Sequence, residues 1–170
     1  MQMSDTRQIN ASTAEVYAAL LDPDMLQKCV PGAQEVTGSV AEGYVATVVQ
    51  KVGPVKATFK GEVTLSELVE NTSLKIDGAG KGGAAGFAKG GAEVRLTAKD
   101  GGTELSYDVE AKVGGKMAQL GSRIIDGFAK KMADQFFNNL QATLEGTDEK
   151  AEAEPAVQPE KKGWFGRSKS

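Results

Sequence analysis

The sequence contains no histidine and a single cysteine, Cys29. These two absences exclude histidine-based catalytic triads, His metal sites, disulfides and zinc knuckles together. Without a His to activate it, Cys29 reads as an inert buried or half-buried thiol. No covalent or metal cofactor is therefore expected. No apolar run approaches the roughly 18 residues that a membrane-spanning helix needs. The first residues, Met1-Gln2-Met3-Ser4-Asp5, lack the basic and apolar regions of a signal peptide, so a cytoplasmic protein is expected. Positive charge is not in excess either. The net charge is −3, and nucleic acid is not an expected partner.

What is present is enough for one domain and an appendage. Thr6 to Asn10 suits a short strand. Ser12-Thr13-Ala14-Glu15 is a capping box that starts a helix through about Leu21. Asp22-Pro23-Asp24 stops that helix and starts a second, Met25 to Cys29. Pro31-Gly32 makes a turn. From there to Val113 the pattern is β, with strands over Glu35–Val40, Tyr44–Val52, Val55–Leu68 and Leu74–Gly80. Two more run through Ala92–Lys99 and Leu105–Lys112. In Val55–Leu68, Val55, Ala57, Phe59, Val63 and Leu65 share one face, and Lys56, Thr58, Lys60, Glu62 and Thr64 the other. Asp100-Gly101-Gly102 signals a hairpin. Such a single-faced antiparallel meander needs a cover.

The cover is a long helix from about Lys116 to Leu144. Met117, Leu120, Ile124, Phe128, Met132, Phe136, Leu140 and Leu144 recur at steps of three or four and share one face. Gly121 and Gly127 are costly inside a helix, at about 1 kcal/mol each relative to Ala. They fit either close helix–sheet packing or close approach of a ligand. The predicted architecture is α+β: a strongly curved antiparallel sheet gripping one long helix, two short helices, and an apolar cavity between sheet and helix.

Gly78-Ala79-Gly80-Lys81-Gly82-Gly83 has the spacing G-x-G-x-x-G. A dinucleotide site requires a strand before that motif and a helix after it. Here the following stretch alternates as a strand, and Gly82 stands where a Walker loop needs Ser or Thr. The stretch reads instead as a Gly-rich hairpin. Phe87, among small residues at its tip, is a gate, a docking finger or an exposed ring on a flexible turn. Asp108 and Glu110 share the polar outer face and read as solvated. Gln50 has the parity of inward residues; its amide either bonds a ligand oxygen or reaches water at a strand end.

Strand, two short helices, meander and terminal helix together resemble the START-like (SRPBCC) helix-grip superfamily. Cys29-Val30-Pro31-Gly32, Val52-Gly53-Pro54-Val55-Lys56-Ala57-Thr58-Phe59-Lys60-Gly61 and the Gly114–Phe137 helix narrow the likeness. In that helix Leu120-Gly121-Ser122-Arg123 and Ala133-Asp134-Gln135-Phe136-Phe137 carry most of it. Residues 1–145 resemble the carbon monoxide dehydrogenase G-subunit family. That resemblance implies a partner: a molybdenum hydroxylase of the carbon monoxide dehydrogenase type, held at the cytoplasmic membrane. A respiratory quinone, or another apolar lipid-like molecule, would suit the cavity.

The organisation expected is a START-like ligand-binding domain over 1–145, an acidic disordered linker over 146–160, and a basic aromatic tail over 161–170. In the tail Lys161, Lys162, Trp164, Phe165, Arg167 and Lys169 suit the headgroup layer of an anionic membrane; a docking motif for a protein is the other reading. The ligand-binding residues expected from shared parity are Phe59, Val63, Val94, Tyr107, Met117, Leu120, Gly121, Ile124 and Phe128. The expected partner-docking surface is Pro31, Gly32 and Phe87. Two function classes follow. One is a non-catalytic recruitment protein, peripheral on the inner face of the cytoplasmic membrane. The other is a helix-grip enzyme of cyclase or hydrolase type acting on a small apolar substrate. The lack of His and of any placed inward carboxylate favours the first.

Overall fold

Alternation of apolar and polar residues makes each strand two-faced, and the sheet follows from that. The structure is a computed structural model and describes residues 1–146. The linker from Thr147 on and the tail, with Lys161, Lys162, Trp164, Phe165, Arg167 and Lys169, lie outside the described residues. Among the described residues, seven strands form one antiparallel sheet in the order β1-β7-β6-β5-β4-β3-β2. The strands are β1 (Gln2–Ile9), β2 (Ala33–Ser39), β3 (Gly43–Val52), β4 (Val55–Val69), β5 (Ser73–Lys81), β6 (Phe87–Lys99) and β7 (Gly102–Gly114). Helices α1 (Thr13–Leu21) and α2 (Pro23–Cys29) connect β1 to β2, and α3 (Ser122–Glu145) closes the fold. The curved sheet around a long C-terminal helix is the predicted architecture.

Local chemistry explains the short elements. Ser12 Oγ accepts from the Glu15 amide while the Glu15 carboxylate accepts from the Ser12 amide, completing the capping box. Asp22 caps α2, with Pro23 in its first turn. Asp100 and Gly101 both take positive φ, 52° and 78°, as a two-residue hairpin between Lys99 and Gly102 requires.

Two expectations need correction. The long helix does not begin at Lys116. Gly115–Leu120 form a 3-10 turn, and Gly121 at φ 92° breaks the chain before α3 starts at Ser122. Its 24 residues span about 36 Å. The break resets the helical phase, so Ile125 is buried while Ile124 is 41% exposed. Gly127 is not a point of close packing either, since a Cβ there would meet nothing within 4 Å. The second correction concerns β1, which starts at Gln2 rather than Thr6. Asp5 pairs with Tyr107 in register and therefore lies on the helix-facing side. An inward-parity carboxylate exists after all, though an exposed one.

The Cys29-Val30-Pro31-Gly32 stretch is a lock. Cys29 is fully buried, and its carbonyl accepts from Asn139 Nδ2 of α3 at 2.9 Å. The Pro31 carbonyl accepts from Gln50 Nε2, and the Gly32 carbonyl accepts from the Val49 amide at 2.9 Å. Gln50 thus holds a turn. Gly32 sits at φ 78°, and a Cβ there would run into the Val49 carbonyl oxygen. Gly32→Ala should lower the melting temperature by roughly 5–10 °C, from strain and a backbone clash together. A thermal melt within about 2 °C of the parent would contradict the lock.

The chain's three tyrosines are all buried. Tyr17 donates to the Ser73 carbonyl and Tyr44 to the Leu21 carbonyl. Burial raises the pKa of all three phenols, with added repulsion from Glu70 on Tyr17 and Asp22 on Tyr44. A folded pKa above the unfolded value contributes stability below pH ~10 that is lost as pH rises further. Melting temperature should hold through about pH 9.5 and fall above about pH 10, less steeply in Tyr17→Phe or Tyr44→Phe. A flat profile to about pH 11 would disprove this.

Candidate functional site

The helix-facing side of the sheet packs on α3 in two separate clusters. The larger joins Ile9, Leu74, Val94, Leu96, Leu105 and Tyr107 to Phe137 and Leu140 of α3. Tyr107 stacks on Phe137 with ring centroids 5.0 Å apart and planes 21° from parallel. The smaller joins Val52, Met117 and Ile125, with half-buried Val55, Phe59, Val113, Leu120 and Phe128 around them. Between the clusters the sheet has almost no side chains. Register places Gly61 beside Gly80, Val63 beside Gly78, Gly78 beside Gly90, and Gly90 beside Ala111. These positions share the inward parity of Phe59 and Leu65.

This band is floor without filling. A Cβ at Gly61 or Gly80 would meet only neighbouring backbone of the sheet, at 3.5 Å or more, and nothing from α3. Val48 and Val63 on the sheet and Ala129 and Met132 on the helix stay half-buried and belong to neither cluster. This band, where half-buried apolar side chains of α3 and the sheet flank a row of glycines, is the candidate slot. At one end the β3–β4 turn closes it, because Leu120 and Ile124 lie 3.7 and 3.6 Å from where a Cβ of Gly53 would stand.

The residues expected to line a cavity are distributed around the slot. Val63 borders it directly. Phe59, Leu120 and Phe128 border it from the smaller cluster, with Met117 buried behind them. Val94 and Tyr107 belong to the larger cluster at the other side. Ile124 and Gly121 are exposed at the closed end; Gly121 is the helix break. The glycine floor, Val48, Ile125 and Met132 were missed as candidates. Glycines at inward parity on three neighbouring strands were the signal that identifies the floor.

Tyr107 supplies a chemical handle. The residue is 4% exposed, yet its hydroxyl has no hydrogen-bond partner among the described residues. Burial first, then Asp5 and Asp134, push its pKa up, while Arg7 and Lys130 oppose them. A neutral phenol with a free donor results. Nearby polar groups are otherwise engaged: Arg7 bonds Asn138 and Gln141, and Lys130 pairs with Asp134 at 2.9 Å.

The expected docking residues lie at the closed end. Pro31 and Gly32 are bound to β3 there. Phe87 opens β6 after the 3-10 turn Gly83–Ala85, packs over Gly114, and remains 48% exposed. Its hairpin is packed: Ala85 is buried, the Phe59 ring covers Gly82, and Gly86 lies against Gly114 and Gly115. The G-x-G-x-x-G stretch therefore joins two antiparallel strands and has no helix to receive a pyrophosphate. Outside the grip, a groove of about 1560 Å³ crosses the outer face, with Glu62, Asp77, Asp108 and Glu110 among its walls. Asp108 is held by Ser4 and Arg95, which lower its pKa, and Glu110 by Gln2. These two are solvated, paired carboxylates.

Comparison with known proteins agrees with this fold. A conserved protein from Geobacillus kaustophilus superposes with a TM-score of 0.80 and 26% identity, covering 86% of this chain and 97% of that one. A START superfamily protein from Mycobacterium smegmatis gives a TM-score of 0.64 at 13% identity, covering 86% and 99%. A Chromobacterium violaceum protein gives 0.61 at 22%, covering 85% and 97%. No curated protein matches the chain. Residues 6–145 match the family of carbon monoxide dehydrogenase G-subunits, CoxG. On a START-like helix-grip body, this chain belongs to the CoxG family of carbon monoxide dehydrogenase.

Proposed function

We propose that the protein is a non-catalytic accessory subunit of a molybdenum hydroxylase of the carbon monoxide dehydrogenase type. It recruits that enzyme to the inner face of the cytoplasmic membrane and holds a quinone or similar lipid-like molecule in the slot. The family supports the hydroxylase partner. The observation that carries the ligand is the glycine floor between the two clusters, where apolar side chains of sheet and helix face each other half-covered. An apolar ring completes that packing, and the free Tyr107 hydroxyl donates to a ring oxygen. Val63, Phe59, Leu120 and Phe128 make the walls. Pro31, Gly32 and Phe87, at one end of the grip, present the surface for the hydroxylase. The tail, with Lys161, Lys162, Trp164, Phe165, Arg167 and Lys169, contributes membrane contact through cations and interfacial rings.

Gly80→Phe tests the slot. It introduces no positive-φ strain and no backbone clash, and it fills the floor. Native mass spectrometry of protein isolated from its own membranes should show a bound apolar molecule in the parent. The folded variant should lose most of it. Equal retention by a folded Gly80→Phe protein would sink the slot. The tagged full chain should also co-purify with a molybdenum hydroxylase; its absence from the eluate would refute the partner.

The tail is tested separately. Trp164→Ala should weaken cosedimentation of the full chain with anionic vesicles several-fold, and about 0.5 M salt should weaken the parent similarly. Indifference to both would leave the tail without this role.

A further inference from the structure

The lysines of this chain are sorted between the two ends of the sheet. At the end carrying the β2–β3, β4–β5 and β6–β7 turns they are paired: Lys75 with Glu67 and Lys99 with Glu104. At the other end they face one another. Lys51 is directly opposite Lys56, Lys60 opposite Lys81, and Lys89 opposite Lys112. All six are exposed and have no ion pair among the described residues. Like charges directly opposite on one face of a sheet are destabilising. Three such pairs, in a chain of net charge −3, concentrate positive charge at this end of the outer face, with the acids of the outer groove beginning beyond it. Acids begin one step further along the same face: Glu62 two residues from Lys60, Glu110 two residues from Lys112, and Asp77 diagonal to Lys89 across β5 and β6.

Phe87 stands inside this surface. It opposes Lys81 across β5 and β6, and Lys89 follows two residues on with the same parity. Its ring is seated over Gly114, so it is a held aromatic rather than a loose one. Lys116 extends the charge into a groove of about 440 Å³ lined by Pro54, Val55, Lys56 and Ala84. This is the end of the grip where Leu120 and Ile124 close the slot over Gly53.

We infer that this lysine-paired end of the sheet, centred on Phe87, is a docking surface for an anionic lipid bilayer. The inference rests on the membrane reading above but assigns the contact to the folded body rather than the tail, and it gives Phe87 to the bilayer, leaving Pro31 and Gly32 to the hydroxylase. The chemistry selects a bilayer over an acidic protein. Lysine is depleted from protein interfaces, where arginine is enriched, and here all six paired cations are lysines. Point charges on flexible stems suit a fluid headgroup layer, whereas fixed carboxylates favour the planar fork of arginine. An aromatic ring among cations matches the interfacial layer.

The test uses the full chain and two vesicle types: pure phosphatidylcholine, and phosphatidylcholine with about 30% phosphatidylglycerol as the anionic lipid. The variants are Lys60→Gln/Lys81→Gln/Lys112→Gln, Phe87→Ser and Trp164→Ala. The triple variant should bind anionic vesicles at least about tenfold more weakly, since each lysine contributes about fivefold. It should melt at the parent temperature or higher, because the three substitutions relieve two like-charge pairs, Lys60–Lys81 and Lys89–Lys112. Phe87→Ser should weaken binding several-fold, and the parent should ignore neutral vesicles. Parent-like vesicle binding by the triple variant, with loss only in Trp164→Ala, overturns this surface and leaves the tail as the membrane contact. Parent-like vesicle binding with loss of hydroxylase co-purification reassigns the lysines to a protein partner and also overturns it. Failure of the parent to bind either vesicle removes membrane recruitment altogether.

Discussion

Helix α3 rests on the sheet at two places and bridges the stretch between them, and most of the molecule is arranged to permit that. At its C-terminal half Phe137 stacks on Tyr107, and Leu140 is fully buried beside Ile9 and Leu105. At its start Ile125 joins Val52 and Met117. A helix pinned at both ends over a row of glycines cannot settle further onto the sheet. The clusters fix its height, and the floor removes the side chains that would meet it. Burying Phe137 and Leu140 contributes roughly 2 kcal/mol or more each to holding α3 on the sheet.

The lock at Cys29–Gly32 serves the same arrangement. It ties the end of α2 to two other elements through backbone carbonyls: α3 through Asn139, and β3 through Gln50 and Val49. Carbonyl acceptors are fixed in direction, so the lock sets where α3 passes relative to the β3 side of the sheet. Arg7 does the equivalent at the β1 side, bonding Asn138 and Gln141 while its guanidinium lies 5.7 Å from the Phe137 ring centroid. The helix is thus fastened from the β1 side and the β3 side of the sheet, and its middle spans the glycine floor.

The β elements were legible because their signals are local. Alternation from Val55 to Leu65, the Asp100-Gly101 turn and the Ser12–Glu15 box depend only on neighbours in sequence, and each forms as expected. The helix phase was not. The spacing Met117, Leu120, Ile124 continues smoothly into Phe128, and nothing in it reveals that Gly121 adopts φ 92° and restarts the count. That choice belongs to the 3-10 turn packing on the Gly-rich hairpin, a contact between Gly86 and Gly115 distant in sequence. The site was half legible for the same reason. Inward parity selected Phe59, Val63 and Tyr107, but a glycine floor has no apolar pattern to read. It emerges only when register sets Gly61, Gly78, Gly80 and Gly90 side by side.

Glycines also explain why charge and slot share one end of the molecule. A sheet depleted of side chains on its inner face loses packing energy where its strands run toward the β3–β4 and β5–β6 turns. Those strands are held there by the ladder, by Phe59 over Gly82 and by Phe87 over Gly114. Selection for stability alone would place alternating charges on the outer face of such strands, as at the opposite end, where Arg95 meets Asp108 and Glu93. Three opposed lysine pairs do the reverse, adding repulsion to the least filled part of the sheet. A cost placed at the weakest section, rather than spread over the surface, is accounted for when an external anionic layer supplies the missing counter-charge. On the proposed reading the outer lysines and the inner glycine floor belong together, because a bilayer-docking surface and an apolar ligand site would be the two faces of the same strands.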